Sequence, residues 1–227
     1  MSTLALKADH ISKSFYDPVT FEVLRDVSFE IEKSKFYSII GKSGCGKSTL
    51  LYVLSTMDTD YKGTLELNGN VVTGQSQNEL ARFRNEHLGF VFQFHFLLPE
   101  FSVLKNIMLP ALKLGKYSKS EIEDRAYEKL KLVDMTEHAL KPASKLSGGQ
   151  QQRVAIARSL INDPSIIMGD EPTGNLDQNN SRIIVEIFMK LAHESGQTII
   201  TVTHDLDIAA QSDNVIEMMD GKIISMT

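Results

Sequence analysis

An α/β fold with a mostly parallel sheet is predicted by three features of this 227-residue sequence. A short apolar run, residues 36–40, feeds a glycine-rich loop that opens directly into a helix. Two later apolar runs, residues 165–168 and 197–202, flank a stretch of helical periodicity, the alternation expected of parallel strands joined by crossover helices. Between residues 94 and 161, by contrast, the apolar residues recur only at helical spacing. The expectation is one domain over residues 1–227, with residues 94–161 inserted as a helical subdomain.

Taken in order, residues 4–12 and 23–31 carry apolar side chains at strand spacing, and residues 64–72 alternate around Asn68-Gly69, a strong hairpin signal. The N-terminal third therefore reads as an antiparallel β subdomain. Residues 47–55 form a helix behind the loop, with Leu50, Leu51 and Leu54 on its apolar face. A buried strand at 88–92 ends at Gln93. Helices are expected over 102–114, 119–133 and 147–160, then over about 181–193 with Ile184, Ile187, Phe188 and Leu191 turned inward. Asp220-Gly221 marks a closing hairpin.

A hydrophobic content of 42% is enough for a substantial core, and a net charge of −5 argues against a protein held on nucleic acid by general basicity. The single cysteine, Cys45, excludes an internal disulfide, and no Cys/His cluster has zinc spacing. A reducing cytoplasm fits that usage. Lys7, Asp9 and His10 near the start argue against a secretory signal, and no stretch reaches 18 uncharged apolar residues.

The chemistry is concentrated in residues 41–49, which read Gly41, Lys42, Ser43, Gly44, Cys45, Gly46, Lys47, Ser48, Thr49. A Gly-X-X-X-X-Gly-Lys-Ser loop wraps its backbone N–H groups around phosphates, while the lysine neutralises charge and the serine hydroxyl reaches Mg²⁺. This defines a phosphate-loop NTPase core. Asp170 and Glu171 follow an apolar strand, where Asp170 can hold the water shell of Mg²⁺ and Glu171 can polarise an attacking water. Gln93 and His204 each follow an expected core strand, so both project toward the same sheet edge and the γ-phosphate region. Gln93 is read as a sensor of Mg²⁺ and the attacking water; His204 hydrogen-bonds the γ-phosphate or orients Glu171. Ser147 ahead of Gly148 and Gly149 suits a helix N-cap.

In that order the motifs resemble those of the ATP-binding cassette (ABC) ATPases, and the resemblance covers essentially the whole chain. Gly41 to Ser48 are similar to the Walker A loop, Ile166 to Asp170 to the Walker B strand, and Leu146 to Gln150 to the family signature. The resemblance implies Phe15 as the ring stacked on adenine, in place of the usual tyrosine, with Tyr16 as the neighbouring candidate. It implies ATP and Mg²⁺ as cofactors. It further implies a head-to-tail homodimer in which Ser147, Gly149 and Gln150 complete the partner's ATP site, an arrangement a helix N-terminus favours. The other implied partner is an integral membrane permease, with the cassette peripheral on the cytoplasmic face of the inner membrane and no nucleic acid bound.

The run from Gln93 through Phe94, Phe96, Leu97, Leu98 and Phe101, and the stretch from Asp170 to Asp177, resemble the group that serves lipoprotein release, macrolide export and cell division. The lipoprotein-releasing members are the most similar. The function implied is an ATP-hydrolysing subunit powering a membrane partner for lipoprotein release or for peptide or drug export. The alternative is a cell-division ATPase that drives its partner without transporting anything. The apolar residues after Gln93 either fill the core of the helical insert or line a groove for a helix of the membrane partner.

Overall fold

Two sheets divide the strands in the computed structural model, which describes residues 3–16 and 19–227. The first is antiparallel, in the order β2-β1-β4-β5: β1 (Leu4–Phe15) pairs with β2 (Phe21–Glu32) on one side and with β4 (Lys62–Leu67) on the other, and β5 (Asn70–Val71) closes the hairpin. Asn68 and Gly69 have φ of 50° and 79°, as a tight I′ hairpin turn requires.

The second sheet runs β10-β9-β3-β8-β7-β6, from β3 (Phe36–Gly41), β6 (Leu88–Phe92), β7 (Ile166–Asp170), β8 (Thr198–Val202), β9 (Asn214–Met219) and β10 (Lys222–Met226). Its pairings are parallel except β9 with β10, which the turn at Asp220 and Gly221 joins. Central strands of such a sheet are covered on both faces, and all five residues of β8 are buried. Successive residues consequently serve different cores. Phe36, Ile167 and Ile199 pack on one face, and Tyr37, Ile166 and Ile200 on the other. Each such side chain, fully buried, contributes about 1.5–3 kcal/mol.

The face carrying Tyr37 packs against α1 (Lys47–Leu54) and the antiparallel sheet, with Leu50, Leu51 and Leu54 completely buried. The opposite face packs against α6 (Gln178–His193), whose Ile184, Ile187, Phe188 and Leu191 point inward as the periodicity predicts. Between β6 and β7 the described chain forms α3 (Val103–Leu114), α4 (Lys119–Leu132), two short 3₁₀ turns and α5 (Gly148–Ser159). Val103, Ile107, Ile122, Leu130 and Val154 from these helices share one core with Phe188 and Ile199.

Two helices lie outside the expectation. Helix α2 (Gln77–His87) precedes β6, with a capping box in which Ser76 accepts from Glu79 N and Glu79 caps the Ser76 N–H. Apolar periodicity does not mark it, because only Leu80 of its residues is buried. A short final helix, α7 (Leu206–Ala209), follows β8.

Candidate active site

The parallel register sets the site. Phe92 pairs with Asp170, Asp170 with Val202, and Val202 with Ile39, so four strands end abreast. Whatever follows those ends shares one edge, where ligands of open α/β sheets bind. Gln93, Glu171, the loop of residues 41–49 and, two residues beyond Val202, His204 all emerge there.

The loop between β3 and α1 turns at Gly46, the N-cap of α1, whose φ of 103° only glycine adopts easily. A side chain there would also press on Val23 O at 3.0 Å. Lys47 is buried, and its Nζ donates to Gly41 O at 2.8 Å and Lys42 O at 3.1 Å, which holds the ammonium inside the curl of the loop. A cavity of about 440 Å³ opens over the N-terminus of α1, walled by Val23, Ser43, Gly44, Gly46, Lys47, Ser48, Thr49, Glu171 and His204. Unpaired N–H groups and the positive end of a helix make this an anion site.

Asp170 ends β7 beneath that cavity. Its Oδ1 accepts from Ser48 Oγ at 2.9 Å and its Oδ2 from the Tyr52 hydroxyl at 2.9 Å. Burial, then the hydrogen bond to Asp170 and its charge, push the Tyr52 phenol up to about 12, so it stays a donor. The oxygen-only set of Ser48 and Asp170 suits Mg²⁺, which prefers one or two protein oxygens supplemented by phosphates. No cluster of three or more His, Cys, Asp or Glu that could hold a metal occurs among the described residues.

Glu171 lies one residue beyond the strand with φ of 46°, a left-handed conformation unusual for a non-glycine residue. Its N–H donates to Val202 O at 3.0 Å, which ties the turn to β8. The carboxylate Oε1 sits 3.2 Å from His204 Nδ1. Gln93 is held differently: its Nε2 donates to Asn175 Oδ1 at 3.4 Å, and Asn175 Nδ2 donates back to Gln93 O at 3.4 Å. Gln93 does not wall the cavity, but it approaches Glu171 across Gly174, where an added methyl would lie 2.9 Å from Gln93 Nε2 and 3.3 Å from Glu171 Oε2.

The other expected residues lie farther out. Phe15 is 47% exposed at the end of β1, with Lys13 Nζ 5.1 Å from its ring centroid. That lysine is buried and anchored to Asp58 at 3.0 Å and Asp60 at 3.1 Å, so one ring face carries a fixed cation. Lys42 is exposed, while Cys45 is buried among core residues with its N–H donating to Lys42 O at 3.2 Å. The walls of the cavity do not include Ser147, Gly149 or Gln150. Ser147 caps α5 in a capping box with Gln150, whose Nε2 also lies 3.1 Å from His138 Nε2.

Two residues outside the sequence reading belong to the framework. Tyr52 is one. The other is Gln152 on α5, fully buried, whose Nε2 donates to Phe92 O at 3.2 Å and Pro172 O at 2.6 Å while Oε1 lies 2.6 Å from His95 Nδ1. It links α5 to the segments bearing Gln93 and Glu171. An amide on a helix gives no local hint of such partners, which come from elements 20 and 60 residues away.

The ABC transporter family model matches residues 24–174. The "Lipoprotein-releasing system ATP-binding protein LolD" of Bacteroides thetaiotaomicron is 44% identical over 218 residues, 96% of this chain and 98% of that protein. A bacterial ABC transporter cassette solved as a dimer superposes with a TM-score of 0.89 at 35% identity, covering 98% of this chain and 97% of the other. A dimeric post-hydrolysis state bound to ADP and Pi gives the same TM-score at 34% identity, with coverage of 98% and 97%. The chain belongs to the ABC transporter family, as one of its ATPase cassettes.

Proposed function

We propose that this cassette binds MgATP over residues 41–49, hydrolyses it with Glu171, and so powers a membrane partner in a lipoprotein-releasing system like that of its LolD relatives. The observation that carries the reading is the Glu171 carboxylate, oriented by His204 on the wall of a cavity it shares with Lys47, Ser48 and Thr49.

In this reading Lys47 exchanges its two loop carbonyls for phosphate oxygens, and the N–H groups of residues 43–49 surround the same phosphates. Ser48 and Asp170 would hold Mg²⁺, which would neutralise negative charge developing on the phosphates. Glu171 accepts the proton of the attacking water, and His204 fixes the plane of that carboxylate. Gln93 stands at the same strand edge as a sensor of the metal and water. Phe15 offers its free face to adenine. Lys42 and Cys45 contribute through the loop backbone rather than their side chains.

Ser147, Gly149 and Gln150, which do not line their own cavity, complete the site of a second copy in a head-to-tail dimer; two dimeric structures of one cassette of the same fold support this. No helix among the described residues is long and apolar enough to cross a membrane. A membrane-embedded partner supplies that part, and the cassette works at the cytoplasmic face of the inner membrane, where ATP is. Phe94 and Phe96 are 63% and 64% exposed, with Leu98 and Phe101 also exposed, whereas Leu97 packs on the core. The exposed four are the docking side chains.

Glu171→Gln tests the chemistry. The amide keeps the size of the carboxylate but cannot accept a proton, so hydrolysis should fall about 10²- to 10⁴-fold while the Kd for ATP stays within a few-fold of wild type. Wild-type turnover in that variant refutes the assignment.

A further inference from the structure

We propose that Tyr52 is a positioning residue that fixes the rotation of the Asp170 carboxylate and thereby the affinity of the site for its metal. The inference rests on reading Asp170 as the metal-side carboxylate.

Ser48 and Tyr52 are four residues apart on α1, hence on one helix face, and that face looks onto the end of β7. Their hydroxyls divide the carboxylate between them, Ser48 at Oδ1 and Tyr52 at Oδ2, each at 2.9 Å. An aspartate carboxylate turns easily about its last torsion. A donor on one oxygen leaves that rotation open, whereas donors on both oxygens, from rigid positions, close it. Tyr52 is such a rigid position: its ring lies against Phe90 of the adjacent strand, centroids 6.2 Å apart. Ser48 alone cannot do this, because its own oxygen is the second group expected to face the metal. Nothing in the motif marks Tyr52, which follows the loop by three residues and reaches Asp170 across 118 positions of sequence.

The test uses full-length protein carrying Glu171→Gln, so that ATP persists. The Kd of a fluorescent ATP analogue is measured with Mg²⁺ and again in EDTA, and the ratio reports how strongly the metal aids binding. Tyr52→Phe keeps the ring and its packing and removes only the donor. It should shrink the ratio about tenfold, the usual cost of losing a hydrogen bond to a metal ligand, and leave the EDTA value unchanged. Asp170→Asn run in parallel should abolish most of the ratio. A ratio unchanged in Tyr52→Phe but lost in Asp170→Asn overturns the role of Tyr52 alone. A ratio unchanged in both overturns the reading of Asp170 as well. Equal weakening with and without metal in Tyr52→Phe makes Tyr52 merely structural and also overturns the proposal.

Discussion

At the scale of single residues, the site depends on close approaches that only small or precisely held groups permit. Gly174 is one such case, since a methyl there meets Gln93 Nε2 at 2.9 Å and Glu171 Oε2 at 3.3 Å. Gly174→Ala should therefore displace both catalytic candidates and lower kcat by roughly ten- to a hundredfold, as sub-ångström to ångström misplacements do. Thermal melting should hardly change, because no core contact is lost; a steady-state assay beside a melting curve checks both halves. The residues legible in sequence were those whose chemistry is local. Lys47, Ser48 and the glycines act through one contiguous loop, and Glu171 and Asp170 adjoin each other at a strand end. Tyr52 and Gln152 were not legible, because what they touch is set by packing of α1 on β7 and of α5 on β6, not by neighbours in the chain.

At the scale of elements, periodicity predicts what the core holds and misses what it does not. The expected strands and helices from residue 88 onward match β6, α3, α4, α5, β7, α6 and β8 to within a few residues, since each buries a regular apolar face. Helix α2 escaped because its residues are charged and polar around a single buried Leu80. Its signal was the Ser76-x-x-Glu79 capping box, a shorter and weaker pattern than a hydrophobic stripe. The loop after Gln93 owes its shape to another polar residue. Asn106 on α3 is fully buried, and it accepts from Leu98 N at 2.8 Å and donates to Leu98 O and Ser102 O, each at 3.1 Å. Asn106→Leu keeps the branched side-chain shape but strands those backbone groups, so unfolding should become easier by about 2–4 kcal/mol. Urea denaturation measures this, and a loss below about 0.5 kcal/mol would show that the loop is held by something else.

At the scale of the whole molecule, two cores lie on opposite faces of the six-stranded sheet. The face bearing Tyr37 carries the phosphate loop on α1; the other carries α5, whose N-cap Ser147 does not line the cavity over that loop. In the proposed head-to-tail dimer, the helix N-terminus of one copy would meet the nucleotide cavity of the other. The central claim is that ATP joins them. The most direct measurement is the mass of Glu171→Gln in solution, by light scattering after size exclusion, before and after MgATP, with and without Ser147→Arg. The account predicts that MgATP doubles the mass of the single variant and that the added arginine, filling the contact with the partner's γ-phosphate, keeps the double variant monomeric. A double variant that still doubles its mass would contradict it.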